Sequence, residues 1–149
     1  MIRIRPGLPS DADAVFAISA ASLPEAWSMD SIRSELEGGN LIRFMVAEDQ
    51  DGLVGFMHWW MVMDEAQVMN IAVHPTRRRM GAGKELLLAA IRSAREEGAS
   101  TMVLEVREGN LPARSLYESV GFTVVANRPG YYPDNGENAL IMALDFVHV

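Results

Sequence analysis

The sequence contains no cysteine, which excludes disulfides, thiol nucleophiles and cysteine-ligated metals. It also has no long apolar run, because its longest such stretches, 55–63 and 85–91, are too short to span a bilayer. The first residues, Met1-Ile2-Arg3-Ile4-Arg5, lack the apolar core of a signal peptide. These absences predict a soluble, cytoplasmic protein that does not associate with membranes.

Positive charge is scarce as well. The chain has 13 Lys and Arg residues against 20 Asp and Glu residues, which gives a net charge of -7 and a pI near 4.9. Such a surface repels phosphate, so we expect no direct nucleic-acid partner, whereas a basic partner is favoured. The 149 residues fit one domain, 1–149, and a hydrophobic content of 49% is that of an ordinary globular protein.

Two common nucleotide-binding signatures are missing. A P-loop would need a glycine at Arg78 and a hydroxyl at Glu85, and a dinucleotide fingerprint would need a third glycine at Leu86. What is present is Arg78-x-x-Gly81-x-Gly83, which joins an apolar segment, 68–73, to a strongly helical one. A strand, a glycine turn and a helix form an anion cradle, because the first N–H groups of a helix have no partner within it.

Basic residues concentrate at this turn. Four of the thirteen lie within eight positions, namely Arg77, Arg78, Arg79 and Lys84. The two glycines would let a bulky anion approach the backbone with no Cβ in the way. In an acidic chain this locally reversed charge indicates a polyanionic ligand, and a basic helix start without a ligand is the alternative.

Alternating and helical periods divide the chain into strands and helices. The predicted strands are 2–5, 42–48, 53–62, 65–73, 101–107, 122–127 and 139–146. The predicted helices start at a cap at Ser10 and run to 22, and then cover 29–37, 85–97 and 112–120. Turn residues between the second, third and fourth strands predict an antiparallel meander, and the helix that follows predicts a crossover. The fold class is therefore α/β or α+β, with a mixed sheet.

Two side chains are candidates for acid–base chemistry. Glu105 is a carboxylate in the middle of an apolar strand, where desolvation would raise its pKa toward that of a useful base. A solvated glutamate on an exposed sheet face is the alternative. Tyr117 lies on a helix that Asn110 can cap, and its phenol can donate a proton. A buried tyrosine satisfied by a backbone carbonyl is the alternative there.

The order and spacing of these motifs resemble a known family. From about Leu23 to Leu144 the chain is similar to the RimI-type, ribosomal-protein alanine N-acetyltransferase branch of the GNAT family, through the segments NIAVHP, RRMGAGKELL, LEVREGN, ARSLYESVGF and GYYPDNGENALIMAL. The resemblance implies a mixed, mainly antiparallel sheet of about six or seven strands with about four helices on both faces. It also implies acetyl-CoA as co-substrate, without a metal.

The resemblance assigns roles to residues of this chain. The backbone of Ile71, Ala72 and Val73 would pair with the acetyl and pantetheine arm. Backbone N–H groups from Arg79 to Lys84, a range that includes Gly81, Ala82 and Gly83, would hold the pyrophosphate. Arg78 and Asn110 would also contact the coenzyme. Glu105 matches the proton acceptor and Tyr117 the proton donor. Trp27, Tyr131 and Tyr132 would bind the acceptor.

The acceptor side departs from the family pattern. Leu23-Pro24-Glu25-Ala26-Trp27-Ser28 stands where an aromatic residue followed by Pro-Trp-Ser is usual, and His58-Trp59-Trp60 replaces lighter side chains. Gly109 stands where a small polar residue is usual, and Asn138 replaces a frequent aspartate.

We interpret the chain as an enzyme that acetylates the N-terminal alanine of a basic protein or peptide. The amine would attack directly in a ternary complex, because no candidate nucleophile accompanies the motif. The alternatives are acetylation of a small-molecule amine and a non-catalytic acyl-CoA sensor.

Overall fold

The protein is built around one seven-stranded sheet with four α-helices, seen in a computed structural model that describes residues 1–23, 27–78 and 80–146. The strands are β1 (Arg3–Pro6), β2 (Ile42–Asp49), β3 (Gly52–Val62), β4 (Glu65–Val73), β5 (Thr101–Arg107), β6 (Thr123–Arg128) and β7 (Ala139–Asp145). The helices are α1 (Ala12–Ser22), α2 (Met29–Glu37), α3 (Ala82–Glu96) and α4 (Leu111–Ser119).

The strands lie in the order β1-β2-β3-β4-β5-β7-β6, and every neighbouring pair is antiparallel except β4 and β5. The parallel pair is joined by the crossover through α3, as parallel strands require. The predicted α/β architecture, with a mixed and mainly antiparallel sheet, is confirmed. So is the predicted meander of β2, β3 and β4.

Side chains from the two faces of the sheet form two separate cores. The larger core lies under α3 and α4 and includes Trp59 of β3, Leu86 of α3 and Tyr117 of α4. The smaller core lies under α1 and α2 and includes Ile32 of α2 and Phe56 of β3. Neighbouring residues of a strand point to opposite faces of the sheet. When one residue of a strand belongs to one core, the residues directly before and after it therefore point to the other face.

Most predicted boundaries agree with the structure to within one or two residues, and two differ for physical reasons. The predicted cap at Ser10 is wrong, because a short 3-10 turn at Pro9–Asp11 precedes α1 and no side chain caps it. Helix α3 begins at Ala82, three residues before the predicted start at Glu85. The cap of α2 is confirmed, since the Ser28 hydroxyl accepts from the Ser31 amide at 3.2 Å.

Candidate active site where two strands diverge

The centre of the sheet contains a wedge-shaped opening between β4 and β5. Only three residues of each strand pair, Glu65–Gln67 with Thr101–Val103, and beyond them the two strands are not paired. In β4 the register with β3 shifts between His58 and Trp59, which leaves Met69 as an extra residue in a β-bulge. On the side that faces β5, the backbone N–H and C=O groups of 71–73 therefore have no strand partner. A ligand in the wedge could form hydrogen bonds with them.

Helix α3 presents its N-terminus at the open end of this wedge. Its N-cap is Gly81, whose φ of 82° lies in the left-handed region that favours glycine, and no side-chain hydrogen bond caps it. The amides of Ala82, Gly83 and Lys84 therefore have no partner inside the helix. Together with the helix dipole, these unpaired amides are the groups that the predicted anion site would use.

The basic side chains near this N-terminus differ in how much of their charge is available to a ligand. Arg78 and Lys84 are exposed, whereas Arg79 lies outside the described residues. Arg77 forms ion pairs with Asp49 and with Asp51, the latter at 3.3 Å. Its charge is therefore balanced within the protein, and the positive charge available to an anion is smaller than the sequence indicated.

Gly83 has a different function from the one that the sequence suggested. It lies inside the first turn of α3, and a Cβ there would stand 3.3 Å from Leu116 Cδ2 and 3.7 Å from Val73 Cγ2. The missing side chain lets α3 approach α4 and β4 closely. The expectation that Gly83 clears space for the anion is wrong, because its free side faces protein.

Tyr117 lies in the core beneath α3 and α4, with 6% of its surface exposed. Its ring packs against Phe122 with centroids 5.9 Å apart. Among the described residues no hydrogen bond to its hydroxyl is found, so the alternative of a phenol satisfied by a carbonyl has no support there. Burial raises the pKa of Tyr117 to about 12, which keeps the phenol protonated at neutral pH.

Asn110 begins the helix that carries Tyr117. Its side-chain oxygen accepts from the Ala113 amide at 3.3 Å, which confirms the predicted cap. That bond uses the oxygen, and the side-chain amide nitrogen donates no hydrogen bond within the described residues.

Glu105 lies at the centre of β5 and points away from the larger core. The predicted alternation is confirmed, since Met102, Leu104 and Val106 are buried while Glu105 is exposed. The expectation of a desolvated carboxylate is wrong, because Glu105 is exposed to solvent. One carboxylate oxygen accepts a hydrogen bond from the Tyr132 hydroxyl at 2.9 Å.

Glu105 and Tyr117 thus stand on opposite faces of the sheet. Tyr117 belongs to the core under α3 and α4, and Glu105 points to the face that also carries α1 and α2. The unpaired stretch between β4 and β5 is the passage from one face to the other. A group held in that passage could meet a proton acceptor on one side and a proton donor on the other.

The loop between β6 and β7 is fastened beside Glu105. Arg107 stacks on the Tyr132 ring at 3.9 Å and forms ion pairs with Asp134 at 3.1 Å and Glu137 at 3.4 Å. The Tyr131 ring meets that of Tyr132 edge-on, with centroids 5.2 Å apart. Burial, and then the hydrogen bond to Glu105, raise the pKa of Tyr132, so this phenol also stays protonated.

Two of the departures from the family pattern, Gly109 and Asn138, take part in hydrogen bonds that hold the β6–β7 loop in place. The Gly109 amide donates to Glu137 at 2.7 Å, and a Cβ at Gly109 would lie 2.5 Å from that carboxylate. Asn138 accepts from the Gly130 amide at 2.9 Å and donates to Glu108 at 3.2 Å. An aspartate could not make that last bond, because an ionised carboxylate has no donor.

Trp27 lies on the same side of the sheet as Glu105, but next to β3. It stacks on the His58 ring at 4.4 Å and on Phe44 at 6.2 Å. His58 in turn contacts the Glu35 carboxylate at 2.9 Å and the Asn70 side chain at 3.1 Å. The sequence marked His58 as a departure from the family pattern. It gave no signal for Glu35, which is 23 positions away.

The described residues contain no group of three or more His, Cys, Asp or Glu side chains arranged to hold a metal ion. No helix in the same part of the chain combines the length and the hydropathy needed to cross a membrane. Pro24, Glu25 and Ala26, part of the segment that the sequence compared with an aromatic-Pro-Trp-Ser motif, lie outside the described residues.

A helix N-terminus suited to a phosphate group, at the mouth of a passage with a carboxylate on one side and a phenol on the other, has the parts that acyl-group transfer needs. The chain belongs to the GNAT family of acetyltransferases, since the model of that family matches residues 12–122. This confirms the resemblance on which the sequence interpretation was based.

Within this family, the chain is similar to several individual enzymes and to a solved structure. The chain is 36% identical over 137 residues to the [ribosomal protein bS18]-alanine N-acetyltransferase of Escherichia coli K12, covering 91% of each. It is 36% identical over 137 residues to the Haemophilus ducreyi enzyme of the same name, covering 90% of this chain and 93% of that one. The crystal structure of the ribosomal-protein-S18-alanine N-acetyltransferase from Escherichia coli superimposes with a TM-score of 0.90 over 98% of this chain and 94% of that one, at 33% identity.

Proposed function

We propose that residues 1–149 form a single acetyltransferase domain that moves an acetyl group from acetyl-CoA to the N-terminal alanine of a ribosomal protein. The observation that carries this proposal is the similarity, over nine tenths of both chains, to enzymes named for that reaction. A ribosomal-protein acceptor would place the reaction in the cytoplasm, and it is a basic partner that suits a chain of net charge -7.

The donor is held by backbone groups. The backbone amides of 82–84 donate hydrogen bonds to the pyrophosphate oxygens, with Arg78 and Lys84 as neighbouring cations, and Asn110 turns its free amide nitrogen toward the coenzyme. The unused backbone groups of Ile71, Ala72 and Val73 bind the pantetheine arm as an additional strand would. This arrangement directs the thioester into the wedge.

The amine of the acceptor approaches from the face that carries Glu105. An α-amine titrates near 8 and a lysine near 10.4, so deprotonation at neutral pH costs about 1 kcal/mol for the first and roughly 4 kcal/mol for the second. Glu105 is a single, exposed carboxylate, and the smaller cost is the easier one for such a base to meet. Glu105 accepts the amine proton, directly or through a water, while Tyr132 fixes the orientation of the carboxylate.

The departing thiolate meets Tyr117 on the other face. Burial raises the pKa of this phenol to about 12, so it is protonated at neutral pH. Its hydroxyl can therefore donate a hydrogen bond to the thiolate as charge develops, and then pass its proton to the sulfur.

The acceptor lies between two walls. One is the fastened loop that carries Tyr131 and Tyr132, and the other is the region of Trp27. Tyr131 is 46% exposed, with the Arg128 guanidinium 5.6 Å from the centre of its ring, and its exposed part can contact a peptide. An extended peptide N-terminus between these walls would bring its amine to Glu105.

The test is a transfer assay with acetyl-CoA and three classes of amine. These are peptides that begin with alanine, the same peptides blocked at the α-amine but carrying a free lysine, and a small polyamine. Thiol release should require the free alanine, and mass spectrometry should place the acetyl group on the α-nitrogen. Preferred modification of lysine or of the polyamine would contradict the proposal, as would coenzyme binding without transfer to any amine.

A further inference from the structure

A second concave site lies beside the wedge, between α2 and the face of β3 and β4. It is a cavity of about 510 Å³. Its walls include the indoles of Trp27 and Trp60, the carboxylates of Asp30 and Glu35, and the side chain of Asn70. Of these residues, the proposed function uses only Trp27, as part of one wall of the acceptor site.

The cavity opens toward the acceptor and away from the coenzyme. Phe56 lies two residues from His58 on β3, and Ala72 lies two residues from Asn70 on β4, so each pair shares one face of the sheet. Phe56 and Ala72 belong to the core under α1 and α2. This is the face to which Glu105 also points. Asn70 directly precedes Ile71, so the cavity adjoins the unpaired end of β4.

The cavity carries negative charge that no cation of the described residues balances. One oxygen of Glu35 accepts from His58 Nδ1 at 2.9 Å and from Trp60 Nε1 at 3.0 Å, and its second oxygen has no partner there. No lysine or arginine in the described parts of the chain pairs with Glu35 or with Asp30. A charge that is only partly desolvated and has no counterion favours a cationic guest.

His58 does not supply the missing positive charge. Its side chain is buried, and burial lowers its pKa to about 4, although the Glu35 carboxylate opposes that shift. A neutral ring that donates from Nδ1 to Glu35 must accept at Nε2, where the Asn70 amide donates at 3.1 Å. The Asn70 side-chain oxygen is thereby left to accept from a bound N–H group.

We propose that this cavity, defined by Trp27, Asp30, Glu35, Trp60 and Asn70, binds the cationic side chain of an arginine or lysine close to the acceptor's reactive amine. The two indoles provide flat faces on which a guanidinium can stack, and the carboxylates provide its counterions. The site would select among acceptors that share the same first residue. The inference rests on the proposed transfer to a peptide N-terminus.

The test compares peptides that begin with alanine and carry one arginine at position 2, 3 or 4. Each has a partner peptide with citrulline there, which keeps the shape and removes the charge. The wild type should prefer arginine at one of these positions about tenfold or more in kcat/KM, through a lower KM. Glu35→Gln and Asp30→Asn should each reduce that preference to about threefold or less.

The matched control is Glu37→Gln, which removes the same unit charge from an exposed position of the same helix outside the cavity. It should keep the preference for arginine. Asp30→Asn leaves the Glu35–His58 network intact, so its result does not depend on how well Glu35→Gln folds.

Equal rates for arginine and citrulline at every position would overturn the cavity's role while leaving the transfer to alanine intact. Loss of the preference in Glu37→Gln as well would also overturn it, because a long-range charge effect would then explain the result. Failure to acetylate any peptide that begins with alanine would overturn the proposed function and this inference together.

Discussion

Replacing Tyr117 by Phe removes one hydroxyl and leaves the buried ring in place. The ring is 6% exposed and packs against Phe122, contacts that phenylalanine retains. No hydrogen bond to the hydroxyl is found among the described residues, so the free energy of unfolding should change by less than about 1 kcal/mol. The variant therefore separates a chemical role of Tyr117 from a structural one.

The expected loss of activity follows from the phenol's pKa of about 12. A hydrogen-bond donor directed at a developing charge contributes about 3 to 4 kcal/mol, so kcat should fall about 10²- to 10³-fold. The wild-type rate should show no alkaline break due to Tyr117 below about pH 10, because the phenol stays protonated there.

The assay measures thiol release with acetyl-CoA and a peptide that begins with alanine, from pH 6 to about pH 10. Urea unfolding and coenzyme titration of both proteins serve as controls, and both should match the wild type closely. A kcat within about threefold of the wild type would refute the assignment. A large loss of stability in Tyr117→Phe would refute the view that the hydroxyl has no structural partner.

Three further predictions concern other parts of the site. Glu105→Gln should lower kcat about 10²- to 10⁴-fold while the Kd for coenzyme from calorimetry stays within about twofold, and an unchanged kcat would exclude Glu105 as the proton acceptor. Gly83→Val should destabilise the protein by about 1 to 3 kcal/mol in urea unfolding, because its Cβ would meet Leu116 at 3.3 Å. A variant as stable as the wild type would contradict the close packing of α3 on α4. The wild type should lose stability as the pH falls from about 6.5 to about 4, because unfolding lets His58 take up a proton that burial denies it in the folded state. Thermal melts of His58→Gln should show a shallower decline with pH. An identical decline would place the titrating group elsewhere.

The sequence predicted local features well where several signals coincided. Strand β4 was predicted from Glu65 to Val73, as observed, because turn residues mark both of its ends. The start of α3 was predicted three residues late, since Gly83 was interpreted as part of a turn. A glycine in a first helical turn looks the same in the sequence as one that precedes it, and only the contact with Leu116 distinguishes them.

Contacts between distant parts of the chain could not be predicted in the same way. Alternation along β5 placed Glu105 on the correct face, but the exposure of that face depends on where α1 and α2 pack. The hydrogen bond from Tyr132 to Glu105 joins residues 27 positions apart, and its formation depends on how the β6–β7 loop folds. The resemblance to a family supplied the order of the site residues, and the tertiary structure supplied their partners.

The central claim is that the amides at the start of α3 bind a diphosphate and so direct a thioester into the wedge between β4 and β5. A crystal structure of the complex with acetyl-CoA tests it most directly. We predict diphosphate oxygens about 3 Å from the backbone nitrogens of Ala82, Gly83 and Lys84, with the acetyl group between the two strands. A coenzyme bound elsewhere, or a wedge that stays closed to the acetyl group, would contradict the account.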